Sequence, residues 1–141
     1  MIYCPIIIIK LLKLINLDST HNRSQPIKKT VMKTTYNKLI RDKIPQIIEE
    51  NKQTPIIKKL NEKEFTKELF KKLKEEMWEV VKAKDDKKEL MKELSDVYEV
   101  IDAIIDLYKL DKDSILKLQE DKRQERGGFK ERIFLMSVKE K

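Results

Sequence analysis

The spacing of apolar and polar residues from Tyr36 onward predicts an all-α domain. A short helix is expected over residues 42–51, where Pro45 is tolerated because it falls in the first turn. Asn61 and Asp86 are each followed three residues later by a glutamate, the pattern of a capping box. Three longer helices are therefore expected over about 61–84, over 86–110, and from Asp111 or Asp113 to Gly127, which ends the last one as a left-handed cap.

Two segments outside these helices have the character of extended chain. Residues 129–138 alternate well enough to predict a short strand, and residues 54–60 combine a proline with adjacent isoleucines. A small two-stranded β element, in which 129–138 pairs with 56–60, is the one exception that the pattern allows to an all-α fold.

The first 31 residues differ from the rest, so we divide the chain into an extension over 1–31 and a domain over 32–141. The apolar stretch from Ile6 to Leu17 is interrupted by two lysines and is shorter than the ~20 residues of a membrane span. No basic residue precedes it, unlike in a signal peptide. We interpret the extension as dispensable or as a mis-assigned start before Met32, with an anchor at a membrane surface as the alternative.

The composition limits the chemistry that the chain can perform. Its two glycines, Gly127 and Gly128, are adjacent, so no glycine-rich nucleotide-binding loop can be written. The single cysteine and single histidine, Cys4 and His21, lie near the N-terminus. Zinc-finger chemistry and histidine-activated nucleophiles are therefore excluded from the rest of the chain. One cysteine cannot form an internal disulfide, which favours a cytoplasmic location.

The net charge of +7 is concentrated near the N-terminus. Residues 1–32 carry five basic residues against one acidic residue, so residues 33–141 are only mildly basic. A basic balance can indicate a nucleic acid, an anionic membrane or a polyphosphate as partner. Aromatic residues are not interleaved with the basic ones as a stacking platform requires, which argues against nucleic acid. The short apolar stretch argues against a membrane partner.

Four acidic residues occupy positions where the helical pattern calls for apolar ones. Glu76 lies in the middle of the apolar face of the helix over 61–84, and Glu79 lies at the edge of that face. On the following helix, Glu93 and Asp96 lie on or beside the apolar face. A buried ionised carboxylate is rare unless it is paired or bound to a metal.

The four acids are placed symmetrically about residue 86. If the two helices fold back antiparallel there, Glu79 faces Glu93 across about 8–10 Å. Glu76 then faces Asp96. Carboxylates gathered in this way repel by about 3 kcal/mol per pair at ~5 Å, and a divalent cation removes the repulsion. Ligation by oxygen alone suits Mg²⁺ or Mn²⁺, so the sequence predicts a metal centre.

The surrounding charges leave a structural alternative open. Glu75 and Glu99 point away from the apolar faces, so we expect them in solvent. The buried acids can instead be neutralised without a metal, by lysines that reach into the core; the candidates are Lys72 and Lys92.

The acidic residues and two flanking motifs together resemble the all-α nucleoside triphosphate pyrophosphohydrolases, the MazG-like and phosphoribosyl-ATP pyrophosphohydrolase-like superfamily. Its hallmark is E-x-x-E, a linker and E-x-x-D, supplied here by Glu76, Glu79, Glu93 and Asp96. A small single-domain branch, predicted to contain house-cleaning enzymes, begins with a stretch like residues 36–45, YNKLIRDKIP. It ends with a stretch like residues 122–129, KRQERGGF. The match covers about residues 35–135.

The resemblance implies an antiparallel helical bundle that hydrolyses the bond between the α and β phosphates of a nucleoside triphosphate. The four acids would hold Mg²⁺, or Mn²⁺, and Glu76 or Glu79 would help to deprotonate the attacking water. Substrate phosphates would be bound by basic residues near the two motifs: Lys38, Arg41, Lys43, Lys122, Arg123 and Arg126. The resemblance also implies a homodimer or homotetramer, with Trp78 at an interface.

Several functions stay open at this point. The leading hypothesis is hydrolysis of a modified or surplus nucleotide to a monophosphate and pyrophosphate. Phosphoribosyl-ATP pyrophosphohydrolase is an alternative, although those enzymes usually have Gly-Glu-Glu where this chain has Lys74-Glu75-Glu76. The remaining alternatives are non-catalytic: a basic helical module that binds nucleic acid, or a nucleotide sensor that keeps the fold.

Overall fold

The computed structural model describes residues 34–140, whose regular structure consists of four helices. These are α1 over Ile44–Glu50, α2 over Glu62–Lys82, α3 over Lys87–Leu107 and α4 over Lys112–Arg126. No strand occurs among the described residues, so the all-α prediction is confirmed for them. The predictions made for residues 1–31, including the start at Met32, lie outside the described residues.

Side chains cap the first turn of the three longer helices, as the sequence predicts. The Asn61 side chain accepts a hydrogen bond from the Glu64 backbone N–H at 2.9 Å, and the Glu64 carboxylate accepts one from the Asn61 N–H at 3.3 Å. This is a complete capping box. Asp86 accepts from two backbone N–H groups in the first turn of α3 at 2.9 and 3.2 Å. Asp111 accepts from the Ser114 N–H at 3.0 Å, which assigns the start of α4 to Asp111.

The last turns of α3 and α4 differ in detail from the prediction. The helix expected to reach Leu110 ends at Leu107, because Lys109 adopts a left-handed conformation with φ 51°. The Leu110 N–H then bonds back to the Ile105 carbonyl at 2.9 Å, which closes the helix end. Gly127 ends α4 as expected and has φ 80°, but its ψ of 178° lies outside the left-handed helical region. The prediction that Gly127 adopts a left-handed helical conformation is therefore wrong, because its φ is positive as expected but its ψ is extended.

The predicted two-stranded β element is wrong for the described residues. Residues 129–138 and 56–60 contain no strand, and most of their apolar side chains are exposed. Arg132 interrupts the first segment with φ 54°, and its N–H bonds back to the Phe129 carbonyl at 3.2 Å. A strand requires a hydrogen-bonding partner along its length. The turn at Arg132 interrupts the extended backbone, so the alternating residues do not form the predicted strand.

α2 and α3 pack against each other as an antiparallel hairpin joined by residues 83–86. This is the only extensive helix–helix contact in the described part of the chain. Leu69 of α2 and Val100 and Ile105 of α3 are its buried apolar residues. Glu76 and Glu93 are buried in the same hairpin, so its interior combines a small apolar core with carboxylates.

α4 follows the hairpin without packing closely on it. Its residues are all exposed, but Lys112 at its start forms an ion pair of 2.7 Å with Asp102 of α3. The residues after α4, up to 140, are exposed as well. Over residues 34–140, no helix combines the length and the apolar character that a membrane crossing requires.

Candidate metal centre

Three carboxylates from the two helices of the hairpin converge on one point. Glu76 of α2 and Glu93 and Asp96 of α3 each offer an oxygen, and these oxygens lie within 4.8 Å of one another. Glu76 is 6% exposed and Glu93 8%. The Asp96 side chain is 20% exposed. We call these three residues the acidic triad. One cation can contact all three oxygens, and an all-oxygen set suits Mg²⁺ or Mn²⁺.

The structure brings together three of the four acids that the sequence singles out. Glu76 and Asp96 meet across the hairpin, as expected for helices that turn back near residue 86. Glu79 lies outside the triad, and its carboxylate forms an ion pair of 3.0 Å with Lys82 in the next turn of α2. Its side chain is about a quarter exposed.

A lysine inside the hairpin neutralises part of this charge. The Lys72 ammonium forms an ion pair with Glu76 and a second one, 3.1 Å long, with Glu75. Burial of the ammonium disfavours its charged form. The hydrogen bonds that the ammonium donates to Glu76 and Glu75, together with the negative charges of these two carboxylates, outweigh burial and raise the pKa of Lys72. The alternative in which a lysine neutralises a buried acid is therefore realised at Glu76. Lys92, the other candidate, donates to Glu89 at 2.6 Å.

The segment before α1 adds a second cation. We call residues 34–43 the arm. The Arg41 guanidinium donates to Asp96 at 2.6 Å through Nη2 and lies 3.2 Å from Glu99 through Nη1. The arm is also attached to α2, since Lys38 lies 3.8 Å from Glu75 and the Lys71 ammonium donates to the Asn37 carbonyl at 3.5 Å. The arm thus lies beside the acidic triad.

The basic residues predicted to bind phosphate fall into two groups. Lys38 and Arg41 lie at the edge of the triad, each paired with an acid of the hairpin. Lys43 is exposed at the start of α1. The other three lie on α4, which does not pack on the acidic helices among the described residues; they are Lys122, Arg123 and Arg126. The structure therefore does not place the α4 cations at the triad of their own chain.

Two residues that sequence analysis assigned to solvent belong to the border of the site. Glu75 is half-buried and bridges Lys72 and Lys38. Glu99 forms an ion pair with Nη1 of Arg41, although the Glu99 side chain is mostly exposed. The spacing of Lys72 and Glu75 at i and i+3 is a local signal that could have indicated their pairing. No local signal links Glu99 to a residue 58 positions earlier in the chain.

Comparison of the chain with protein-family models, with curated proteins and with solved structures gave no match. The resemblance to the pyrophosphohydrolase superfamily thus depends on the acidic residues and the two flanking motifs.

Proposed function

We propose that this chain is a Mg²⁺-dependent nucleoside triphosphate pyrophosphohydrolase with the MazG-like type of helical bundle. Its substrate would be a modified or surplus nucleotide, cleaved between the α and β phosphates to a monophosphate and pyrophosphate. The acidic triad carries this proposal: Glu76, Glu93 and Asp96 present three carboxylate oxygens within 4.8 Å, two of them on buried residues. Lys72 pairs with Glu76 and Arg41 pairs with Asp96.

The triad is the place for the metal ion. Its three residues are suited to hold Mg²⁺ because hard oxygen ligands are what that ion prefers. When bound, the ion would neutralise charge on the polyphosphate and lower the pKa of a coordinated water. Glu76 is in addition held by its ion pair with Lys72.

The side chains at the border of the triad supply the remaining functions. Glu79 lies one turn from Glu76 with its carboxylate partly exposed, and it would accept a proton from an attacking water. Arg41 and Lys38 lie at the edge of the triad and would bind the substrate phosphates. An arginine can bind a phosphate through two nitrogens, so Arg41 can exchange its contacts with Asp96 and Glu99 for phosphate oxygens. Phosphoryl transfer depends mainly on such positioning and charge neutralisation.

The test is to incubate the purified full-length chain with a panel of standard and modified nucleoside triphosphates in the presence of Mg²⁺. Chromatography should show a monophosphate and pyrophosphate from at least one substrate, and EDTA should abolish the products. Glu76→Gln and Asp96→Asn remove one ligand charge each without changing shape, so each should lower kcat by about 100-fold or more.

A matched control is Glu68→Gln, which makes the same change two turns earlier on α2. Glu68 forms an ion pair of 3.1 Å with Lys71 and lies outside the triad, so the activity of this variant should be unchanged.

Turnover of phosphoribosyl-ATP alone would favour the alternative function of a phosphoribosyl-ATP pyrophosphohydrolase. Binding of nucleotides without products would indicate a sensor, and metal-independent, steeply salt-dependent binding of RNA or DNA would indicate a nucleic-acid module.

A further inference from the structure

Lys72 and Arg41 both pair with the acidic triad, but they differ in how they are attached to the protein. Lys72 belongs to α2, and its side chain is 16% exposed where it pairs with Glu76. Arg41 belongs to the arm, and its side chain is 49% exposed where it pairs with Asp96. Lys72 is therefore part of the hairpin itself, whereas Arg41 leaves Asp96 when the arm moves.

The polar contacts of Arg41 are the short ones among those described above for the arm. Arg41 lies 2.6 Å from Asp96 and 3.2 Å from Glu99, whereas Lys38 lies 3.8 Å from Glu75. Ion pairs between exposed side chains contribute little to stability, so a weak pair such as that of Lys38 does not hold the arm in place by itself. The attachment of the arm through charged groups thus depends mainly on Arg41.

Apolar packing adds only a partial attachment. Leu39 and Ile40 of the arm are half-buried, and none of the residues of the arm or of α1 is fully buried. In the described part of the chain, α1 makes no extensive contact with another helix. Segments with few buried apolar contacts are the ones that open locally at low cost. The arm is therefore attached loosely enough to be displaced while the hairpin stays folded.

A divalent cation at the triad would compete with Arg41 for Asp96. The guanidinium already binds Oδ1 of that carboxylate at 2.6 Å. A cation bound to the same carboxylate would lie next to the guanidinium, and like charges so close repel strongly in a protein. Because coupling between two binding events is reciprocal, the cation weakens the hold of Arg41 on Asp96 as much as Arg41 weakens that of the cation.

We propose that Arg41 and a divalent cation exclude each other at Asp96, so that binding of the cation detaches Arg41 and releases the arm. This inference rests on the proposed function, because it takes the acidic triad as the metal centre, and it adds a regulation of that centre. A detached Arg41 is available to an anion. A complex of Mg²⁺ with a triphosphate offers both new partners at once, a cation for Asp96 and phosphate oxygens for Arg41.

Limited digestion by trypsin measures the detachment of Arg41 without any measure of nucleotide hydrolysis. Trypsin cleaves after a basic residue only when that side chain enters the protease's own pocket, so cleavage after Arg41 requires its guanidinium to leave both carboxylates. Arg132, in the exposed segment after α4, is the internal reference that cancels any effect of the metal on the protease. Relative to EDTA, Mn²⁺ should raise the ratio of the two initial rates in the full-length chain by about fivefold or more.

Two substitutions on α3 define what this digestion reports. Asp96→Asn removes the charged partner of Arg41 together with one charge of the triad, so cleavage after Arg41 should be fast in EDTA and should not respond to Mn²⁺. Asp102→Asn is the matched control, because Asp102 lies about two turns later on α3, pairs with Lys112 and is outside the triad. It should respond to Mn²⁺ like the unchanged chain. Circular dichroism should show the same helix content in both variants.

The affinity for Mn²⁺ tests the same competition from the side of the metal. Electron paramagnetic resonance of the free ion gives the Kd of the full-length chain and of its variants. Arg41→Gln should tighten Mn²⁺ binding by about tenfold. Lys38→Gln removes one positive charge from the same arm, next to Glu75, so its smaller effect measures the general contribution of charge.

The outcomes separate this inference from the proposed function. Mn²⁺ binding that leaves cleavage after Arg41 unchanged would overturn the inference, and so would weaker binding in Arg41→Gln or equal effects of Arg41→Gln and Lys38→Gln. Absence of Mn²⁺ binding would refute the metal centre and the inference together. A chain that binds Mn²⁺ and releases Arg41, but hydrolyses no nucleotide, would support the inference and overturn the proposed hydrolysis.

Discussion

Arg41 ties the segment before α1 to an acid of the candidate metal centre. Its Nη2 lies 2.6 Å from Asp96 Oδ1, and its Nη1 lies 3.2 Å from Glu99 Oε2. Asp96 is thus held by a cation 55 positions earlier in the chain. The position of the arm and the availability of the Asp96 carboxylate are therefore linked.

Arg41→Lys should separate the two functions of Arg41, which are the binding of substrate phosphate and the attachment of the arm to α3. Lysine keeps the charge but cannot bridge two acceptors or bind a phosphate through two nitrogens. We expect KM for the nucleotide to rise by about tenfold, whereas the free energy of unfolding should fall by less than about 1 kcal/mol because the Arg41 side chain is half exposed. Steady-state kinetics and urea unfolding measure the two effects.

Arg132→Lys is the control for that substitution, since Arg132 lies in the exposed segment after α4. It should leave both KM and stability unchanged. Unchanged KM in Arg41→Lys would show that Arg41 only fastens the arm and does not contact substrate.

Lys72→Met should expose the cost of the buried Glu76 carboxylate. The Lys72 side chain is 16% exposed and that of Glu76 8%, so removing the cation leaves a buried charge without its nearest partner. In EDTA, we expect the free energy of unfolding to fall by about 3 kcal/mol. Mg²⁺ should restore part of this loss, because an ion that binds only the folded state at 100 times its Kd stabilises it by about 2.7 kcal/mol.

The comparison that decides this prediction is the effect of Mg²⁺ on the variant and on the unchanged chain. Mg²⁺ should raise the unfolding temperature of Lys72→Met more than that of the unchanged chain, in which Lys72 already neutralises Glu76. Lys71→Met is the control, since Lys71 is largely exposed one residue away. If Mg²⁺ does not stabilise either chain, the triad does not bind that ion.

The same ion pair should make stability depend on alkaline pH. The pKa of Lys72 is raised above 10.5 in the folded chain by its bonds to Glu76 and Glu75, which outweigh its burial. A raised pKa means that the stabilisation is fully present below pH 10.5 and is lost as the pH rises through the higher folded value. Urea unfolding between about pH 9 and pH 11.5 should show a loss in the unchanged chain that Lys72→Met lacks. Parallel pH profiles for the two chains would contradict this assignment.

Asn61→Ala should weaken the start of α2. It removes the side chain that accepts from the Glu64 N–H, and the loss of such a cap costs about 1 kcal/mol. Urea unfolding should show this loss with unchanged metal binding, because Asn61 lies four turns from Glu76. Gln119→Ala is the control, since Gln119 is exposed within α4 and lies at no helix end. An equal loss of stability in both variants would indicate that the capping box contributes nothing specific.

Much of the fold could be predicted because its signals are local. Asn61, Asp86 and Asp111 cap their helices through contacts with residues two or three positions away, so they are visible in the sequence. The apolar positions of α2 and α3 recur with the helical period and predicted the hairpin. The strand over 129–138 was wrong, because alternation alone cannot supply the partner strand that it needs.

The candidate site was predicted less completely. The symmetric spacing about residue 86 correctly predicted that Glu76 and Asp96 meet, because the hairpin is short and antiparallel. It did not predict that Glu79 would lie outside the triad. The side chain at the edge of a helical face can turn toward a local cation, and Glu79 pairs with Lys82 at 3.0 Å.

The sequence by itself determined the helices, their caps and the acids at apolar positions, since each depends on neighbours within about one helical turn. Only the tertiary structure decided that Glu93 joins Glu76 and Asp96 whereas Glu79 does not. It alone decided that Lys72 reaches Glu76 and that Arg41 joins Asp96 to Glu99. It also decided that α4, apart from the ion pair of Lys112 with Asp102, does not pack closely on the hairpin of its own chain. The physical reason is that long-range contacts depend on how whole helices pack and on which rotamers their charged side chains adopt, and neither leaves a local pattern in the sequence.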